Sequence, residues 1–92
     1  MKSDVLRIRP TKNERNIAER GLSFERVGEF AWDTARVIED RRKDYGEIRL
    51  QPWGLIRGRL HVAVVAPRGE DLRVISLRKT HAKEVRRHSE AG

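Results

Sequence analysis

The stretch LHVAVVA, Leu60–Ala66, is the longest nearly unbroken apolar run in the chain and constrains the fold more than any other segment. It falls far short of the ~20 apolar residues a membrane helix needs. Its length and β-branched content instead fit a central strand covered on both sides. A chain of 92 residues has material for one modest core around such a strand, so a single domain over 1–92 is expected. No cysteine is present, which removes disulfides and zinc-thiolate sites and leaves apolar packing, or a partner, to hold the fold. The first residues, MKSDVLRIRPTKNERN, contain no apolar signal segment, so a soluble cytoplasmic protein without membrane contact is expected.

The rest of the chain supplies neighbours for that strand. Val5, Leu6 and Ile8 before Pro10 read as a short strand. Thr11 with Glu14 reads as a capping box for a helix through Arg20, ended by Gly21. Ser23 starts a second short helix whose Phe24, Val27 and Phe30 cover a sheet, and Trp32 beside Phe30 is expected in the core. Trp32-Asp33-Thr34 reads as a turn, RVIED (36–40) as a strand and RRKDYG as a loop. From Glu47 the period becomes two, with Glu47, Arg49 and Gln51 on one face and Ile48 and Leu50 on the other.

Pro52 interrupts this pattern, so PWG is expected to mark an edge or bulge. IRGRL is a hairpin signal, with Gly58 between Arg57 and Arg59. Pro67–Glu70 is expected as a turn, Leu72–Leu77 as the next strand, and Thr80 as the cap of a final helix to about Ser89. The expected class is α+β, a largely antiparallel sheet of about four to five strands with two N-terminal helices and one C-terminal helix.

Charge narrows the partners. The net +7 is uneven: residues 1–46 carry 11 Lys/Arg against 9 Asp/Glu, and residues 47–92 carry 10 against 5. A basic second half suits a polyanion such as RNA or DNA, or an acidic protein segment. On the last helix Lys83, Arg86 and Arg87 extend that surface. His81, Glu84 and His88 share a helical face, but without an HExxH spacing or a further ligand they carry no metal reading, and no cofactor is expected. His61, inside the apolar run, reads as a structural histidine. Trp53 is the aromatic most suited to touch a ligand or partner, with Tyr45 as another candidate.

The motifs PTKNERN, ERGLSFERV, VIEDRRKDYGEIRL, GRLHVAVV and PRGEDLRVISLRKTHAKEVRR follow one another in an order that resembles the BrnT toxins of type II toxin–antitoxin systems. The combination DYGE.R followed by RG....R.IS.RK....E.RR carries most of the resemblance. Where that family has a histidine at the end of its first helix, this chain has Arg20.

The resemblance implies a RelE-like fold and a metal-independent endoribonuclease that inhibits translation. It also implies a BrnA-type ribbon-helix-helix antitoxin as partner in a possible 2:2 complex, with operator DNA bound only through that complex. The alternative is a non-catalytic basic module that binds nucleic acid or protein.

Metal-free RNA cleavage needs a base for the 2′-hydroxyl, cations for the charge added at phosphorus and an acid for the leaving oxygen. By resemblance Glu47, Arg49, Arg73, Arg78, Lys79 and Glu84 occupy motif positions. His81, in the first turn of the last helix beside Lys79, is the candidate proton acceptor, with Glu47 and Tyr45 as alternatives. The catalytic set is thus Glu47, Arg49, Arg73, Arg78, Lys79 and His81, and the RNA-binding set is Arg57, Arg59, Lys83, Arg86 and Arg87.

Strand alternation raises a difficulty. Arg73 shares a face with Ile75 and Leu77, whereas Arg78 shares one with Val74 and Ser76. Both arginines reach one phosphate only if the strand twists or bulges near Ser76. A plainer account makes Glu47, Arg49 and Arg73 ion pairs on a solvated sheet face.

Overall fold

Leu60–Ala66 lies in the centre strand of a five-stranded sheet, in a computed structural model that describes residues 6–91. In chain order the elements are β1 (Leu6–Arg7), α1 (Pro10–Arg20), 3-10 segments at Phe24–Glu29 and Trp32–Thr34, β2 (Arg36–Glu39), β3 (Leu50–Ile56), β4 (Arg59–Arg68), β5 (Asp71–Lys79) and α2 (Ala82–Ala91). The strand order is β1-β5-β4-β3-β2. β2 to β5 form an antiparallel meander, and β1 pairs parallel with β5 through Leu6 with Leu72 and Arg7 with Arg73. Val5, expected in the first strand, lies outside the described residues.

One side of the sheet is the core side. Ile56, Ala63, Val65, Val74 and Leu77 are buried there under Leu22, Phe24, Val27 and Phe30. Phe24, Val27 and Phe30 recur every three residues, the period of a 3-10 helix, and the expected second helix is a 3-10 segment for that reason. Ser23 caps it, its hydroxyl accepting from the Glu25 amide at 3.2 Å. Gly54 makes room for this cover, because a Cβ there would stand 2.8 Å from Cδ2 of Phe30.

Several local expectations change. α1 begins at Pro10, whose missing N–H needs no cap, so Thr11 sits inside the first turn. Gly21 closes the helix in the left-handed conformation, with φ of 71°. Trp32 is 40% exposed, its ring tilted against Phe30 at 5.1 Å, so it is not a core residue. β3 starts at Leu50 and continues through Pro52-Trp53-Gly54 without an interruption. Pro52 is tolerated because the pairing with β4 passes from Leu50 to Trp53, while Val37 of β2 flanks the proline on the other side.

β4 likewise runs through Pro67 to Arg68, moving the turn to Gly69 and Glu70. Arg57 and Gly58 both have positive φ, 52° and 78°, as a two-residue type I′ hairpin loop demands. Thr80 does not cap α2; its buried hydroxyl donates to the Leu60 carbonyl at 3.0 Å.

Candidate active face

Ala66 pairs with Arg73, and Val64 with Ser76, so one extra residue, Ile75, is accommodated in β5 opposite the Val64–Val65 step. This β-bulge resolves the alternation difficulty. Beyond it Val74 stays on the core side with Val65, and Arg73 moves to the face that carries Ser76 and Arg78. Cross-strand partners share a face, so the same side carries Arg36, Trp53 and Val62 in a row with Arg78, and Arg7 beside Arg73. α2 lies over one end of it, through contacts of Glu84 with Arg78 and of His88 with Trp53.

Two arginine clusters occupy this face. In the first, the Glu47 carboxylate receives Arg73 at 2.6 Å, Arg49 at 3.2 Å and Arg68 at 3.4 Å. Partial burial pushes this carboxyl up, but Arg49, Arg73 and Arg68 together outweigh that and hold it below the usual carboxylate range. Arg49 also lies over the Tyr45 ring, 4.1 Å from its centre. A groove of about 380 Å³ continues the cluster past Arg7, Arg9, Arg68 and Arg73.

The second cluster surrounds a polar cavity of about 200 Å³ with Arg20, Arg42 and Arg78 around Gln51 and Ser76. Glu84 grips Arg78 through both carboxylate oxygens, each at 2.9 Å, and accepts from the His81 amide at 2.9 Å. Arg78, then the His81 N–H, hold the Glu84 carboxyl down to about 2. Asp40 does the same for Arg42, with a bidentate pair at 2.8 and 2.7 Å, and Arg42 keeps the buried Asp40 well below the ordinary range.

Arg20 differs from the other two. Its hydrogen bonds go to neutral acceptors, Oδ1 of Asn16 at 3.3 Å and the Leu77 carbonyl at 3.5 Å. Asn16 itself donates to the same carbonyl at 3.0 Å, so the end of α1 is pinned to the β5 backbone and delivers Arg20 to the cavity. The clusters are pre-formed, cation-rich and partly shielded, which suits them to bind an anion with several oxygens.

Of the expected residues, Glu47, Arg49, Arg73 and Arg78 are brought to one face. Lys79 pairs with His61 and alternates to the opposite side. His81 is exposed between β5 and α2, tied to the site through its amide and Glu84. Arg57 sits at the hairpin tip, 3.3 Å from Glu29, and Arg59 donates to the Thr80 carbonyl at 3.3 Å. Lys83, Arg86 and Arg87 are exposed on α2; Arg86 faces a groove with Arg59, and Arg87 a different cavity with Trp53.

His61 is buried, its Nδ1 donating to the Arg59 carbonyl at 2.7 Å, and burial first of all favours its neutral form. No group of three His, Asp or Glu side chains able to hold a metal ion occurs among the described residues. Arg20, Arg42 and Asp40 escaped the sequence reading. The signal for Arg20 was its place at the end of the first helix, where the resembled family has a histidine, and nothing in the RRKDYG loop distinguished Arg42 from its neighbours.

A family model described as ribonuclease toxin, BrnT, of type II toxin–antitoxin system matches residues 9–84. Among solved structures, the crystal structure of the Brucella abortus ribonuclease toxin, BrnT, superposes with a TM-score of 0.71 at 27% identity, covering 86% of this chain and 99% of that one. No curated protein sequence matches the chain.

Proposed function

The chain belongs to the BrnT family of ribonuclease toxins, and from that premise we propose that it is an endoribonuclease that cleaves RNA without a metal ion and is neutralised by a BrnA-type antitoxin. The observation that supports this reading most is the β5 bulge, which gathers Arg73 and Arg78 on the face that also holds Arg49 and Arg20.

In this mechanism the scissile phosphate sits over Arg78, and Arg20, Arg49 and Arg73 offset the charge that the phosphorus gains as the 2′-oxygen attacks. Glu47 is a positioning residue: ionised under three guanidinium groups, it orients Arg49 and Arg73 and is a weak base. His81, one helical turn from Glu84, takes the 2′-hydroxyl proton as the P–O5′ bond breaks to leave a 2′,3′-cyclic phosphate, and the departing 5′-oxygen takes its proton from water. The outlying Arg57, Arg59, Lys83, Arg86 and Arg87 hold flanking phosphates, while Lys79, on the opposite side of the sheet, takes no part. The partner is a cytoplasmic ribbon-helix-helix antitoxin whose dimer joins two toxin chains, and a 2:2 mass for the co-expressed pair tests that arrangement.

Purified protein is expected to cut messenger RNA in the presence of a chelator, with or without ribosomes. Arg78→Ala and Arg49→Ala should each reduce the rate by at least about a hundredfold. The bidentate pairs already made by Arg78 and Arg42 favour the alternative, a module that binds phosphate and cuts nothing. RNA left intact under every condition, with salt-sensitive affinity retained, decides for that alternative.

A further inference from the structure

Beside the Glu84–Arg78 pair is a second, larger cavity of about 450 Å³, lined by Trp53 and Ile38 from the sheet, Glu84, Arg87 and His88 from α2, and Arg36 at the edge strand. It shares only Glu84 with the clusters above. Its two rings, the Trp53 indole and the His88 imidazole, are nearly parallel, 17° apart in plane with centres at 6.3 Å. The indole Nε1–H is buried and meets no acceptor among the described residues. Buried donors are nearly always paired in folded proteins, to protein, water or ligand, so this indole of the cavity lining has a hydrogen bond left for a bound molecule to complete.

Aromatic faces, one unsatisfied donor and two flanking guanidinium groups together describe the needs of a nucleotide more closely than those of an apolar side chain. A base stacks on an indole or imidazole, its carbonyl or ring nitrogen accepts from the N–H, and its phosphates meet Arg36 and Arg87. Location fixes which nucleotide. Glu84 is a wall of this cavity and also holds Arg78 with both oxygens, so a base here belongs to a residue next to the phosphate on Arg78.

We propose that Trp53 and His88 form a nucleobase subsite that selects the nucleotide beside the scissile phosphate. This rests on the ribonuclease reading for its place in the reaction, though not for the binding itself.

The test uses uncleavable 2′-O-methyl oligoribonucleotides and a chain of the same length carrying abasic positions, with affinities measured at one fixed salt concentration. Trp53→Leu is expected to weaken the base-bearing oligonucleotide about tenfold or more and the abasic chain hardly at all. Trp53→Phe keeps a stacking face but removes the donor, and should lose discrimination among bases while keeping most of the affinity. His88→Ala, on a helix surface, repeats the stacking test should Trp53→Leu not fold.

Equal losses for base-bearing and abasic chains overturn the proposal, and so does no loss in any variant. Weakened antitoxin capture with unchanged oligonucleotide binding also overturns it, assigning the cavity to a protein partner. Base-dependent binding through Trp53 without any RNA cleavage by the wild-type chain leaves the subsite standing and removes only the enzymatic reading.

Discussion

Glu84 shows how much a single side chain can organise. It pins Arg78 in the cavity, accepts from the His81 amide just before α2 and walls the adjoining cavity. Family resemblance marked Arg49, Arg73 and Arg78 as one set, whereas period two alone put Arg73 and Arg78 on opposite faces. Glu47 was legible as the partner of Arg49 and Arg73, but the pairs of Asp40 with Arg42 and of Glu84 with Arg78 were not, since they depend on loop and helix placement that no local pattern records.

These pairs give the protein a pH signature. Glu84 titrates at about 2 in the fold, below the ordinary carboxylate value, and Asp40 and Glu47 shift in the same direction. Their contribution is therefore complete above about pH 4.5 and is lost as pH falls towards 2. The melting temperature should be level from neutral pH to about 5 and drop steeply below it. Identical melting at pH 3 and pH 6 would contradict this assignment. Glu84→Gln should cost roughly 1–2 kcal/mol in urea unfolding at neutral pH and flatten the acid limb of the profile.

At the scale of elements, the sequence specified strands and helices well where one period persisted. It was less explicit where a period broke. Phe24, Val27 and Phe30 already repeat at the 3-10 interval, so that segment was legible in a form easily taken for an α-helix. The bulge was visible only as a conflict between Arg73 and Arg78; its position at Ile75 depends on which residues of β4 lie opposite.

Deleting Ile75 removes the extra residue, so β5 would pair with β4 in unbroken alternation, with Val74 and Leu77 still on the core side and Arg73 and Arg78 still together on the other. The variant is expected to keep a cooperative urea transition. Loss of that transition would mean that the strand needs its extra residue for more than the choice of faces. Gly54→Ala should destabilise, by about 1–3 kcal/mol, because the added methyl meets the buried ring of Phe30 rather than the end of a flexible chain. Chemical denaturation of the two proteins side by side measures it.

Across the whole molecule, the uneven charge was readable from composition alone, whereas the parallel pairing of β1 with β5 was not, since no local signal links Leu6 to Leu72. One face concentrates guanidinium groups, so RNA affinity should fall with salt. With about four phosphates engaged, a plot of log affinity against log salt should have a slope near −3 for a single strand. A slope near zero would remove phosphate from the list of ligands.

Arg20 reaches the site by clasping the carbonyl of Leu77, 57 positions further along the chain. A polypeptide still emerging from the ribosome holds the first of these residues long before it has the second, and loop closure over that span comes late. The active face is thus assembled by the last strand to be synthesised. A half-made chain, ending near residue 46, carries only +2 of the net +7 and lacks the strand that completes this face, so the arginine-lined surface exists only once synthesis is nearly done.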